Sequence, residues 1–328
     1  MTENRHSQRY FIVGGAGFIG SHFTDRLLAD PSVTAVTLYD NFSSGREWHY
    51  AGHTGDPRFR VVRGDVRDLA PLTAAMQGHD VVIHLASNPD IAKAVTDPEI
   101  DFRQGTALTN HVVEAVRCSG AKTILYASGS GIYGDLGELE AIEDHGPLIP
   151  ISTYAASKLA GEGLISAYCY MFNLTARVFR FGNVVGPRQT HGVGFDFLRR
   201  LREDPRKLRI LGDGTQSKSY IHVQDVVNSV LLAERNATGW FAAYNVATGD
   251  YITVKEIAEL AVECAGLDPS QVEFEYTGGD RGWKGDVPIV RLNTDRIRRL
   301  GWVCGLNSRE ALRASMLAML PDLQAGRL

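Results

Sequence analysis

The stretch "YFIVGGAGFIGSHFTDRLLAD", residues 10–30, constrains this chain more than any other. An apolar run of strand length leads into Gly14, Gly17 and Gly20, and helix-compatible sequence follows. Strand, glycine turn and helix in that order form a cradle for a phosphate. Gly14 permits the tight turn, Gly17 lets the backbone approach a pyrophosphate, and Gly20 lets helix and strand pack closely. The helix start then offers N–H groups and the positive end of its dipole to the anion. Asp40 ends the next apolar run, "TAVTLYD". A carboxylate there hydrogen-bonds ribose hydroxyls and repels the extra phosphate of NADP, so the expected cofactor is NAD. Asp65 in "RGDVRD" stands just past the third run, where a carboxylate can meet the adenine amino group; a solvated loop acid is the plainer alternative.

The first half continues with "RFRVVRGD", "DVVIHLAS" and "KTILYASG", near-continuous apolar runs separated by loops or helix-compatible sequence. That alternation predicts a parallel sheet covered on both faces. The expected fold is α/β, a Rossmann-type doubly wound parallel sheet with a smaller C-terminal substrate-binding domain. Residues 1–180 are read as the NAD-binding domain, with segments near 220–248 returning to it, and residues 181–328 as the substrate domain. With 328 residues, 44% of them hydrophobic and 22% charged, the composition is that of a soluble globular chain. A net charge of −4 argues against nucleic acid or an anionic membrane as partner. No apolar run is long enough to span a bilayer, and the N-terminal "MTENRHSQRY" lacks the apolar core of a signal peptide. The four cysteines form no C-x-x-C pair and are read as free thiols of a reducing, cytoplasmic compartment. The histidines show no ligand spacing, and no metal is expected.

In "TYAASK", Tyr154 and Lys158 are four residues apart on a helix and share one face. A phenol with a pKa near ~10 must be lowered by ~3 units, about 4 kcal/mol, to act as a base near neutral pH. One positive charge at ~4 Å and an effective dielectric of ~20 supplies about that much. Tyr154 is therefore expected to be an acidified phenol held by Lys158, with small residues between the two.

Taken together, "GGAGFIGSH", "YDNFSSG", "GDVRD", "HLAS", "YASGSGIYG", "YAASK", "RFGNVVGPR", "GDGTQSKSYIHVQD" and "GDRGWKGDVP" resemble the extended short-chain dehydrogenase/reductase family. Within it they resemble the nucleotide-sugar epimerases of the UDP-glucose 4-epimerase type, over nearly the whole chain. The resemblance implies an enzyme that inverts C4 of a UDP-hexose through a transient 4-keto sugar. Tyr154 would be the base, and Lys158 would also hold the nicotinamide ribose. It implies further cofactor contacts from Phe18, Ile19, Asn41, Gly45, Val66, Leu85, Ala86 and Ser87. For the substrate it implies Asn183 and Lys218 at the diphosphate, Asp286 at the ribose of the uridine, and Arg281 in place of a displaced arginine. Arg188 and Arg209 are weaker candidates. A homodimer through the long helices is also implied.

The chain departs from the family pattern at one position. Relatives place Ser or Thr four residues before the Tyr of their "VYG", and here that position is Gly129. Ser128, and after it Ser130, are the candidates for the missing hydroxyl. The Asp-Glu pair of sugar 4,6-dehydratases and the Glu of UDP-glucuronate decarboxylases are absent, which favours epimerisation. Asn183 and Thr190 favour UDP-glucose and UDP-galactose, with UDP-glucuronic and UDP-galacturonic acid as the alternative. A net NAD-dependent dehydrogenase or reductase and a non-catalytic NAD-binding scaffold are the remaining readings.

Overall fold

The computed structural model describes residues 8–327; the N-terminal segment read above lies, through Ser7, outside the described residues, as does Leu328. The first strand, β1 (Gln8–Val13), is buried along its last four residues and runs into the glycine turn. Helix α1 (Phe18–Leu28) follows, then β2 (Val33–Asp40), β3 (Phe59–Arg63), α2 (Leu69–Met76), β4 (Val81–His84), α3 (Ala107–Ser119) and β5 (Thr123–Gly129). A long α4 (Thr153–Phe172) leads to β6 (Thr175–Phe181). Beyond these come β7 (Asn183–Val185), α5 (Val193–Glu203), β8 (Lys207–Ile210), β9 (Ser217–Lys218), β10 (Tyr220–His222), α6 (Val223–Asn236) and β11 (Phe241–Val246). The chain ends in β12 (Ile252–Thr253), α7 (Val254–Cys264), β13 (Glu273–Tyr276), α8 (Asp295–Arg298) and α9 (Ser308–Gln324).

Seven strands form one sheet in the order β11-β6-β5-β4-β1-β2-β3. The pairings β3–β2, β2–β1, β1–β4 and β4–β5 are all parallel. A Rossmann-type sheet with its direction of winding reversed between β1 and β4 is thus what the alternating apolar runs produce. At such a reversal the loops after two neighbouring strands diverge and leave room for a ligand at the carboxyl ends. Apolar strand residues such as Phe11, Val82 and Ile124 pack with Val112 and Val116 of α3 and Ile165 of α4, all essentially removed from solvent.

The chain divides into two compact units. The first holds the residues through Gly129, Thr153–Arg180 and Val230–Tyr244; the second holds Ser130–Ser152, Phe181–Ser229 and the residues from Asn245 onward. The stretch Ser130–Ser152, which the sequence reading put with the cofactor domain, belongs to the second unit. Of residues 220–248, Val230–Tyr244 belong to the first. The second unit is built on short ladders, β7–β10 and β8–β13 parallel and β9–β12 antiparallel. Its core joins α5, α7 and α9 through Leu198, Ile257, Leu312 and Met316. Helices α7 and α9 both start in capping boxes, Thr253 with Glu256 and Asn307 with Glu310. Each box satisfies two of the N–H groups a helix start leaves open. No helix of the described residues is long and apolar enough to cross a membrane.

Candidate active site

The glycine turn has the geometry of an anion cradle. Gly14 adopts φ +76°, and a Cβ on it would lie 2.7 Å from the backbone nitrogen of Ala86, so only glycine fits. A Cβ on Gly20 would stand 2.5 Å from the carbonyl oxygen of Gly15, which is how α1 approaches the strand so closely. Gly17 is different: a Cβ there meets only the Gly14 oxygen, at 3.4 Å, so this position faces open space. Gly17 also caps α1 without a side-chain hydrogen bond, and the first turn holds no acid. The first turn, with Phe18 and Ile19, is therefore uncompensated and suited to a phosphate. Leu85 and Ala86 both donate their N–H groups to Val13 O (2.9 and 3.1 Å), which ties the loop after β4 to the glycine turn.

Asp40 is 8% exposed and does more than the sequence reading asked of it. Its Oδ2 accepts from Ala16 N (2.9 Å) and its Oδ1 from Phe42 N (2.8 Å), while burial, opposed by those bonds, raises its pKa. It holds the glycine turn to the β2 end. Gly45 lies against it, with room for a Cβ only 2.8 Å from Ala16 Cβ. Asn41 donates to Asp65 Oδ2 at 3.4 Å. Asp65 itself accepts Arg67 through two side-chain nitrogens (2.9 and 2.8 Å) and the Arg67 N–H, and these bonds hold its carboxyl well below the usual range. The expected reach of Asp65 toward an adenine amine thus competes with a bidentate arginine. Val66 is buried in the core. These residues fit a dinucleotide: an open cradle, an uncompensated helix start and a carboxylate at the second strand.

On α4, Lys158 Nζ donates to Ala127 O at 2.8 Å and lies over two rings, 5.2 Å from the Tyr126 centroid and 5.5 Å from that of Tyr154. Burial lowers its pKa to about 8, with Asp101 and Glu162 opposing. The expected acidified phenol is corrected here. Tyr154 has its pKa raised, chiefly by burial and further by Asp101, while a hydrogen bond with Ser87 pulls it down. The reason is geometric: the ammonium is turned to a backbone carbonyl and lies over the ring face, and desolvation of a phenolate outweighs what remains.

Ser128, the first choice for the missing hydroxyl, is also corrected. It is 5% exposed, and its Oγ donates to Glu162 Oε1 at 2.6 Å. Glu162 in turn is bound by Arg180 through Nε (3.1 Å) and Nη2 (2.8 Å). Ser128 therefore completes a buried ion pair. Gly129 leaves its Cβ direction empty, with nothing within 4 Å. Ser130 opens the second unit and lines a depression with Tyr133, Leu139 and Arg291.

In the second unit the substrate candidates are partly brought together. Lys218 pairs with Asp286, and Arg281 donates to Asp286 O (2.9 Å) and Asp135 Oδ2 (2.6 Å). Asn183 donates its side-chain amide to Ser219 O at 3.1 Å, next to Lys218. Arg188 takes positive φ, +66°. Arg209 is exposed on β8 and its carbonyl accepts from Arg200.

Sequence reasoning missed a second layer. Asp101, fully buried, accepts from Thr153 Oγ1 (2.7 Å) and Asn88 Nδ2 (2.9 Å), tying the start of α4 to the loop after β4. Glu162 and Arg180 were unremarked, although an acid two turns after Tyr154 inside an apolar helix face was a usable signal. His84, whose Nε2 meets Thr109 Oγ1 at 3.0 Å, is held neutral, its pKa lowered to about 3 by burial and Lys158.

Comparison with known proteins agrees with this geometry. The profile of the NAD dependent epimerase/dehydratase family matches residues 10–247. The UDP-glucose 4-epimerase of Mycolicibacterium smegmatis is 33% identical over 302 residues, 90% of this chain and 93% of that protein. The dTDP-glucose 4,6-dehydratase of Streptomyces griseus is 30% identical over 311 residues, 93% and 92% of the two. A crystal structure of UDP-galactose 4-epimerase superposes with a TM-score of 0.85 at 33% identity, covering 96% of this chain and 100% of that one. MoeE5 in complex with UDP-glucuronic acid and NAD superposes with a TM-score of 0.82 at 28% identity, covering 98% and 100%. Matched along nearly its whole length by enzymes that modify sugar nucleotides with NAD, the chain belongs to the NAD dependent epimerase/dehydratase family.

Proposed function

We propose that this enzyme inverts C4 of a UDP-hexose, interconverting UDP-glucose and UDP-galactose. The observation that carries the reading is the pairing of Tyr154 and Lys158 on α4 with a loop, "YASGSGIYG", that holds no acid at Ser130 or Gly131. The base needed to oxidise and re-reduce C4 is present, and the acids a 4,6-dehydratase needs to eliminate water are not. NAD, when bound, supplies a hydride acceptor that returns the hydride, and its oxidised ring adds a positive charge favouring a phenolate.

The chain's own residues do the rest. Tyr154 takes the proton of the sugar 4-hydroxyl and gives it back after the 4-keto sugar has turned its other face. The Ser87 hydroxyl pulls the phenol's pKa down against the burial that otherwise keeps the proton in place, and Lys158 Nζ lies 5.5 Å from the centroid of its ring. Asp101, through Thr153, fixes where α4 begins and so where Tyr154 stands. Asn183, Lys218, Arg281 and Asp286 are assigned to the UDP moiety. A diphosphate draws Lys218 from Asp286, which frees that carboxylate for the ribose hydroxyls.

UDP-glucuronic acid is the second reading, favoured by the likeness to MoeE5, whose structure holds that sugar nucleotide. Incubation with UDP-glucose and with UDP-glucuronic acid, the products separated by chromatography and NADH followed by absorbance, decides among the readings. The expected result is UDP-galactose with no net NADH. Stoichiometric NADH refutes the epimerase reading, and so does a 4-keto-6-deoxy product. Tyr154→Phe is expected to abolish inversion and to leave NAD binding intact.

A further inference from the structure

Within the first unit lies a buried ion pair that takes no part in the proton transfer itself. The side chains of Glu162 and Arg180 are each 7% exposed, and Arg180 donates to the carboxylate through Nη2 (2.8 Å) and Nε (3.1 Å). Glu162 follows Lys158 by four residues on α4, so the two share one face of the helix. That face is joined to the end of β5 at consecutive residues. Lys158 Nζ donates to Ala127 O at 2.8 Å, and Ser128 Oγ donates to Glu162 Oε1 at 2.6 Å. Between these bonds Gly161 lets the helix close on the strand, since a Cβ there would stand 2.4 Å from Tyr126 Oη. Arg180, on β6, ties the same carboxylate to the next strand of the sheet. An ammonium buried to 3% exposure is driven toward its neutral form, and a fixed negative charge one helical turn away opposes that.

We propose that Glu162, held by Arg180 and Ser128, is a positioning residue for Lys158. It fixes the turn of α4 from which the lysine reaches Ala127 O, and it supplies negative charge that keeps the side chain an ammonium. The chemical consequence, a cation beside the Tyr154 ring, rests on the epimerase reading, but the test does not.

The groups facing Lys158 are His84 on β4, Asp101 before α3, Tyr126 on β5, and Tyr154 and Glu162 on α4. Glu162→Gln keeps an acceptor for Ser128 and removes the charge. The Lys158 titration is read in the full-length protein from lysine labelled at Cε, with Lys158→Met for assignment. In Glu162→Gln it is expected to move down by about one to two pH units, the effect of one charge ~7 Å away at an effective dielectric of ~20. Arg180→Gln leaves the carboxylate unopposed and is expected to move the titration up. The double variant, with no lone ion left in the interior, is expected to fold readily and to titrate between the two. Glu162→Asp keeps the charge and is expected to stay near wild type. In Glu162→Gln the alkaline limb of the kcat–pH profile moves down with the lysine, while KM for the sugar nucleotide holds.

A Lys158 titration that is unmoved in Glu162→Gln, or that moves the same way in Glu162→Gln and Arg180→Gln, overturns the proposal. Should neither single variant fold, a double variant that titrates above wild type overturns it, because Glu162 shares the lysine's helix face and Arg180 does not. Wild-type protein that inverts neither sugar refutes the epimerase reading instead, and the titration, read without substrate, still decides Glu162.

Discussion

Replacing Lys158 with Met should make the dinucleotide-free protein more stable near neutral pH relative to its stability in alkali, although it removes a charge from the candidate active site. The Lys158 side chain is 3% exposed, and burial takes its pKa from the ordinary 10.5 down to about 8. At about 1.4 kcal/mol for each pH unit, that descent is a penalty of about 3 kcal/mol on the folded state carrying the charge. The sign follows from linkage. Below the folded pKa of about 8 both states hold the proton and the penalty is fully present. Between about 8 and 10.5 the folded protein sheds the proton first, so wild-type stability rises with pH until the penalty has gone. Met carries no such charge at any pH. Its own losses, the bond to Ala127 O and the contacts with the Tyr126 and Tyr154 rings, are close to pH-independent. The stability of Lys158→Met minus that of wild type is therefore expected to fall by about 2 kcal/mol between pH 7 and pH 10. Urea unfolding of both proteins across that range measures it, and the difference cancels every other titrating group. A difference that stays flat, or grows with pH, refutes a buried, charged Lys158.

The buried pair gives a contrasting result: Arg180→Met leaves Glu162, 7% exposed at its side chain, without its guanidinium, and is expected to cost about 3–5 kcal/mol in denaturant unfolding. Gly20→Ala puts a Cβ 2.5 Å from the Gly15 oxygen and should lower Tm sharply. Gly17→Ala, whose Cβ meets nothing closer than 3.4 Å, should fold and lose NAD affinity in calorimetric titration. Equal loss of Tm in the two would mean that the turn is purely structural. For Asp40→Ala the informative quantity is the ratio of NAD to NADP affinity, since both cofactors suffer equally from the lost bonds to Ala16 and Phe42. The ratio is expected to fall toward one, and an unchanged ratio removes Asp40 from the ribose.

The sequence by itself determined what short-range geometry determines. Three glycines at a strand-to-helix junction, an acid at the end of the next strand, and a tyrosine one helical turn from a lysine are statements about neighbours along the chain. Backbone sterics and helical periodicity translate them directly into a phosphate cradle and a shared helix face. Alternating apolar runs likewise sufficed for the parallel sheet, because strands buried on both faces have to be apolar throughout.

What the tertiary structure alone decided was direction and competition. Ser128 and Ser130 are equally good serines in the sequence. Only the fold turns the first toward Glu162 and Arg180. The proton on Tyr154 is the same case: spacing put a cation nearby, but burial, which depends on every element packed around the site, set the balance the other way. Desolvation and side-chain direction are sums over contacts distant in sequence, and no local pattern encodes them.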